Sequence, residues 1–275
     1  MIKSMTGFGS TERQIRGLGK ISVELRSTNH KFLEAVFHLP PGFLSLEEKI
    51  KALIDAKLKR GRVVCVVSLL STRVQKAYIN TGLVGNYLAS LEKLKSQFDI
   101  ADDISLDALI QLPGVLSLEE PRLSEVRLWP ELKVAIGEAL KGLVKMRKAE
   151  GAALSAFLTR QVKALKADVA FIGLRSKSAL EEKLKLIPTV EERSSFLKET
   201  DITEEIERLK FHLRNFQAKL ARDGAVGKEL DFIAQEMQRE ANTLAAKTFD
   251  AAISGRAVQI KSSIEKIREQ VQNIE

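Results

Sequence analysis

Two runs of apolar residues at coiled-coil spacing dominate the last third of this sequence. Ile202, Ile206, Leu209, Leu213, Phe216 and Leu220 alternate steps of four and three; Ile260, Ile264, Ile267, Val271 and Ile274 follow the same rule almost to Glu275. A side chain that recurs every 3.5 residues stays on one side of a helix, so each run must bury a seam against another helix. The spacing predicts an antiparallel helical hairpin whose two arms flank the intervening stretch. Gly224 and Gly227 stand between the arms as a flexible joint.

The intervening stretch, Lys228 to Lys247, carries the densest chemistry in the chain. At about 100° per residue, Leu230, Ala234, Met237, Ala241 and Leu244 form one apolar stripe. Asp231, Gln235, Gln238, Arg239 and Asn242 share the other side, with Glu236 and Glu240 in an adjoining row. A solvated face is more usually Lys/Glu-rich, whereas this mixture of acids, amides and a guanidinium suits a site for a metal, a phosphate and a polar base edge. An ordinary amphipathic helix with i,i+4 ion pairs accounts for the same residues equally well. The helix beginning near Asp201 repeats the mixture: Asp201, Glu205, Arg208 and His212 lie on one face beside the first seam. His212 has the chemistry to bind a metal or move a proton near neutral pH, with Glu205 orienting it. A surface ion-pair network with a solvated histidine is the plainer reading.

The first third reads differently. Ile21, Val23 and Leu25 alternate with polar residues as a half-buried strand does, RGLG (16–19) reads as the turn before it, and a further strand is expected over 32–39. Ser45 and Glu48 have capping-box spacing ahead of a helix bearing Leu46, Ile50, Leu53, Ile54 and Leu58. RVVCVVSLL (62–70) is apolar enough for a central strand buried on both faces. Two short helices, about 81–97 and 105–112, precede a long one that starts near Pro130 and ends before Pro188, either continuous or a pair joined near Gly151. The expected class is α+β, an N-terminal α/β sandwich with a small, mostly antiparallel sheet followed by a helical, coiled-coil-like region. The division falls at 1–150 and 151–275.

Several functions are excluded. One cysteine makes no internal disulfide, and its apolar neighbours mark Cys65 as a buried thiol. One Cys and three scattered His hold no zinc pattern, and GxSxG is absent. MTGFG lacks the lysine and hydroxyl of a phosphate loop, so no nucleotide cofactor is assigned. No apolar run reaches membrane-span length and the start lacks a signal-peptide core, which points to the cytoplasm. A net charge of +8 favours an anionic partner, nucleic acid first, and with one Trp and two Tyr the contacts are expected on phosphates rather than through stacking. The turn Arg26-Ser-Thr-Asn29-His30-Lys31 groups phosphate-gripping cations with an amide, although Asn29 also suits a left-handed turn. KLKRGR (57–62) is a weaker basic cluster, placed where a helix C-terminus favours cations anyway.

Longer motifs carry a resemblance. SMTGF (4–8), ELRSTNHKFLE (24–34), LPPGFLSLE (39–47) and RGRVVC (60–65) resemble the N-terminal half of the YicC/YloC family of bacterial proteins. DITEEIERLKFH (201–212), GKELDFIAQEMQREANTLAAK (227–247) and IEKIREQVQNIE (264–275) are similar to that family's C-terminal region in matching order and spacing. One departure is small: where relatives carry Ser-Lys-Ser after NTL and a small residue, this chain has Ala246-Lys247-Thr248. The resemblance implies an endoribonuclease that uses a divalent metal, Mn²⁺ or Mg²⁺, and a ring-like homo-oligomer, a hexamer.

On that reading Glu205, Asp231, Glu236 and Glu240 supply metal ligands or a general base. Arg208, Arg239 and Lys247 steady the scissile phosphate, while His212 and Asn242 complete the candidate catalytic set. Arg26, Asn29, His30, Lys31, Lys228 and Lys247 are the expected RNA contacts. A non-catalytic RNA-binding adaptor or helical scaffold is the alternative, since heptads and basic charge need no chemistry.

Overall fold

A computed structural model describes residues 2–15, 19–70, 76–101, 103–119, 125–222, 224 and 226–275. Two apolar cores organise them, and one helix of 60 residues, α4 (Glu125–Leu184), serves both.

The first core is a four-stranded sheet covered on one face. Its strands are β1 (Gly7–Ile15), β2 (Gly19–Thr28), β3 (Leu33–His38) and β4 (Gly61–Leu69), in spatial order β1-β2-β4-β3. β2 pairs antiparallel with β1 and β4, whereas β3 joins β4 in parallel through the short helix α1 (Glu47–Asp55). The alternation predicted for β2 holds: Ile21, Val23 and Leu25 are buried with Val63, Cys65 and Val67 of β4 under α1 and α4. β4 is not buried on both faces, because Val64 and Val66 stay half-exposed on the uncovered side. The Ser45–Glu48 capping box does not form either. A 3₁₀ turn over Leu44–Leu46 leads into α1, whose N-cap, Leu46, has no side chain that can accept a hydrogen bond. The turn expected over 16–18 lies outside the described residues.

The glycines of MTGFG have a steric cause. A Cβ on Gly9 would sit 2.1 Å from the Ala139 carbonyl oxygen and 2.5 Å from the Leu143 nitrogen, so β1 and α4 touch backbone to backbone. Gly151 plays the same part later in α4, where a Cβ would come within 2.3 Å of the Ile2 carbonyl oxygen. α4 is continuous through residue 151, and the extended segment ahead of β1 runs along it.

The second core is an antiparallel four-helix bundle of the C-terminal half of α4 with α6 (Thr203–Leu220), α7 (Gly227–Lys247) and α8 (Ala251–Val271). Both heptad seams are buried as expected, but they do not pair with each other. Cross-helix polar contacts place α6 and α8 each between α4 and α7: Glu205–Lys247 and Arg208–Glu240 join α6 to α7, Asp231–Arg268 joins α7 to α8, Asp168–Arg256 joins α4 to α8, and Lys166 donates to Gln217 from α4 to α6. The predicted hairpin is thus a square in which the two seams stand on a diagonal, since α7's own apolar stripe must also be covered. Gly227 is no free joint. A Cβ there would lie 2.4 Å from the Ile274 carbonyl oxygen, so this glycine lets the C-terminus pack on the first turn of α7.

Two short strands unforeseen from the sequence, β5 (Lys76–Ile79) and β6 (Leu116–Glu119), pair antiparallel beside α2 (Thr81–Phe98) and α3 (Leu106–Gln111). The last remaining helix, α5 (Val190–Thr200), is N-capped by Thr189 and buries none of its side chains. No helix of the described residues is long and apolar enough to cross a membrane.

Candidate RNA-binding cleft and the carboxylate cluster behind it

The N-terminus, the turn after α1 and the C-terminus meet on one buried guanidinium. Arg147 of α4 is 1% exposed; its Nε donates to the Ser4 carbonyl at 2.6 Å and its Nη2 to Glu275 Oε2 at 2.9 Å. The Met5 amide donates to the Asn273 carbonyl and the Glu275 amide to the Lys3 carbonyl, closing a short antiparallel bridge. This knot docks the sheet against the bundle and so fixes the cleft between them.

That cleft has a volume of about 250 Å³. Asn29, Lys31 and Arg60 line it from the sheet side, and Lys228, Asp231 and Gln272 from the bundle. Four of the residues singled out in the sequence, separated by some 200 positions, therefore converge. Arg60 Nε donates to the Lys31 carbonyl at 3.2 Å, which anchors the cationic turn. Asp231 Oδ2 accepts from Gln235 Nε2 at 2.8 Å. Its buried Oδ1 has no hydrogen-bond partner and lies 4.0 Å from Arg268 Nε, which is also buried without one. Asp231 thus keeps one buried acceptor unused beside one unused guanidinium donor at the back of the cleft.

A second cluster lies farther along α7, on its seam with α6. Glu205 is 4% exposed and accepts from Lys247 Nζ at 2.7 Å, leaving Oε2 buried without a partner. Lys247 also donates to the Asp201 carbonyl at 3.3 Å, and the Glu205 hydrogen bond holds its ammonium above the usual lysine range. Hydrogen bonds from Thr203 hold the Asp201 carboxyl below its usual range. Glu240, 5% exposed, faces Arg208 Nη1 at 3.4 Å, while Arg208 Nη2 reaches Glu204.

The remaining expected residues are not drawn into either group. His212 is half-buried with its ring edge-on to Phe211. Asn242 accepts from Gln238 at 3.5 Å, and among the described residues neither the half-buried Glu236 side chain nor the exposed Arg239 side chain has a hydrogen-bond or ion-pair partner. Arg26 is exposed on the uncovered face of the sheet, opposite Phe8 and Val64. His30 Nδ1 bonds the Phe32 carbonyl at 3.1 Å and its Nε2 lies 3.7 Å from Glu34. Arg60, Arg268 and Gln272 were not singled out as site residues: the first belongs to the basic run 57–62, and the other two occupy seam-flanking positions that carry no pattern of their own.

The four carboxylates proposed as metal ligands do not form one centre within the chain. Asp231 and Glu240 are nine residues apart on one helix, about 13 Å along its axis. Glu205 and Glu240 face ammonium and guanidinium groups instead of a shared space. Among the described residues no three His, Cys, Asp or Glu side chains gather closely enough to hold a metal ion. Cys65 is fully buried, and burial pushes its thiol up to about 12, which keeps it from acting as a thiolate.

Comparison with known proteins agrees over the whole length. Residues 2–156 match the family model "Endoribonuclease YicC-like, N-terminal region", and residues 158–275 match "Endoribonuclease YicC-like, C-terminal". The chain is 34% identical to "Probable endoribonuclease YicC" of Clostridioides difficile and 30% identical to the protein of that name in Haemophilus influenzae, each alignment covering 100% of both chains. With its two halves matched in order and both relatives aligned end to end, this chain belongs to the YicC-like endoribonuclease family.

Proposed function

We propose that this chain is an endoribonuclease that grips RNA in the cleft between sheet and bundle. The observation that carries the reading is the convergence of Lys31 and Arg60 with Lys228 around Asp231. The three cations neutralise backbone phosphates, and Asn29 offers an amide to a 2′-hydroxyl or base edge. Asp231, oriented by Gln235, takes the proton from the attacking oxygen as that oxygen bonds to phosphorus, the bond from phosphorus to the leaving oxygen breaks, and the leaving oxygen takes a proton from water, while Lys31, Arg60 and Lys228 offset the negative charge that grows on the phosphate. Dependence on Mn²⁺ or Mg²⁺, a role in RNA turnover in the cytoplasm, and assembly as a homo-oligomer, specifically a hexamer, complete the proposal. The C-terminal seam is consumed within the chain, so assembly uses other surfaces. Exposed Phe98 and Leu106, 64% and 73% accessible, support the 76–119 segment in that part.

The test is cleavage of a labelled single-stranded RNA with Mn²⁺ or Mg²⁺ and with EDTA, comparing wild type, Asp231→Asn and Glu240→Gln. Asp231→Asn is expected to bind RNA normally and cut at least about a hundredfold more slowly. Cutting at the wild-type rate by that variant would remove Asp231 from the chemistry, and unchanged cutting by both variants would move the site elsewhere. Product ends identify the nucleophile: a 5′-phosphate follows attack by water, a 2′,3′-cyclic phosphate attack by the neighbouring 2′-hydroxyl.

A further inference from the structure

A second cavity lies away from the cleft, between α1 and the N-terminal half of α4, and has a volume of about 460 Å³. Leu53 and Ala56 of the α1 side and Leu140 and Val144 of α4 form its apolar walls. Four lysines surround it: Lys57 from the basic run after α1, and Lys141, Lys145 and Lys148 on consecutive turns of α4. All four are exposed, and none of their ammonium groups has an ion pair or hydrogen bond among the described residues. Like charges at i,i+4 repel along a helix, so this row is a cost unless an anion settles among them. Gly137 opens the cavity from below, since a Cβ there would meet nothing within 4 Å.

We propose that this is a binding site for an anionic amphiphile, a single-chain carboxylate of the fatty-acid class, with the chain between α1 and α4 and the headgroup among the lysines. The volume lies within the range of small-molecule pockets, about 300–1,000 Å³, whose usual form is an apolar body with a few convergent polar groups. A nucleobase fits the chemistry less well. Bases are held by aromatic stacking and edge hydrogen bonds, and these walls are aliphatic and offer neither. The long lysine stems extend the apolar wall while their charged ends stay in water, which matches a ligand with one charged end.

The experiment is calorimetric titration of the full chain with laurate, with dodecyltrimethylammonium as the same chain bearing the opposite charge, and with adenosine monophosphate. Laurate is expected to bind at one site per chain with a dissociation constant on the order of 10 µM, and the cation much more weakly. Gly137→Phe places a ring in the empty space and should weaken laurate by roughly tenfold or more while leaving the thermal midpoint unchanged or higher, because glycine is the poorer helix former. A Lys141→Glu, Lys145→Glu, Lys148→Glu triple variant, altered only on exposed positions, should weaken laurate similarly and favour the cationic amphiphile. Absence of saturable laurate binding, or binding unmoved by both variants, overturns the proposal. So does tighter binding of the nucleotide, which would make this a second nucleic-acid contact, or a change of particle mass in Gly137→Phe without laurate binding by wild type, which would make it a face between copies.

Discussion

Arg147 Nη2 lies 2.9 Å from Glu275 Oε2, so the final residue of the chain is paired with a guanidinium buried in the middle of its longest helix. Burial pushes the Arg147 guanidinium below its ordinary value, and Glu275 and Glu150 push it back. Truncating one partner of a buried pair leaves the other uncompensated, so Glu275→Ala is expected to cost about 3 kcal/mol. Urea unfolding at neutral pH measures it; a change under about 0.5 kcal/mol would show that the carbonyls of Ser4 and Arg60 suffice to hold Arg147.

Deleting residues 264–275 is expected to unfold the helical bundle. Ile264, Ile267, Val271 and Ile274 are at most 1% exposed within this chain's own bundle. The truncated protein should lose its cooperative thermal transition. A folded, monomeric truncation would place that seam in an interface instead.

Gly9→Ala tests the direct contact of β1 with α4. The new methyl would overlap the Ala139 carbonyl oxygen and the Leu143 nitrogen, both backbone atoms that cannot rotate away. A loss of at least about 2 kcal/mol is expected from overpacking, with Gly142→Ala, whose nearest neighbour is at 3.5 Å, as the milder control. Equal thermal midpoints for the two variants would contradict this.

Asp250 should contribute stability that acid removes. It caps α8 by accepting from the Ala252 and Ile253 amides at 2.9 and 3.0 Å, and Arg175 donates to its other oxygen. Burial pushes the carboxyl up, but the Ile253 amide, Arg175 and the Ala252 amide outweigh it and hold the group below its ordinary range. A depressed pKa stabilises the fold above the unfolded-state value, about 3.9, and that contribution disappears as pH falls through the folded value. Asp250→Ala should therefore cost about 1–2 kcal/mol at pH 7 and progressively less toward pH 3. Denaturant melts across that window check it; a difference independent of pH would show that shape rather than charge matters there.

RNA affinity should fall steeply with salt, because phosphate contacts release bound counterions with a slope of roughly 0.7 per contact on single strands. Lys31→Ala with Lys228→Ala should weaken binding and reduce that slope by about 1–2, whereas Arg26→Ala, on the uncovered sheet face, should change it less. Filter binding from 50 to 300 mM salt distinguishes them. An Arg26 effect larger than that of the pair would move the RNA path onto the sheet.

The sequence by itself determined what is periodic. The alternation of Ile21, Val23 and Leu25 sets which face of β2 is buried, and the two heptads and the Leu230–Leu244 stripe set which sides of α6, α7 and α8 are apolar, because a side chain's direction follows from residues a turn or two away. Family membership was also readable, since it rests on the order of long motifs. Only the tertiary structure decided which apolar faces meet. Any two stripes of similar width can pair, so the spacing suggested that the two seams face each other, while covering α7 as well puts them on a diagonal. Close approach was likewise invisible: Gly9, Gly151 and Gly227 are needed because of a carbonyl 130, 149 and 47 positions away in the chain, and no local pattern records that neighbour. The cleft has the same origin. Lys31 and Asp231 each looked like one of many polar residues until the Arg147–Glu275 knot fixed the sheet against the bundle and brought them to the same space.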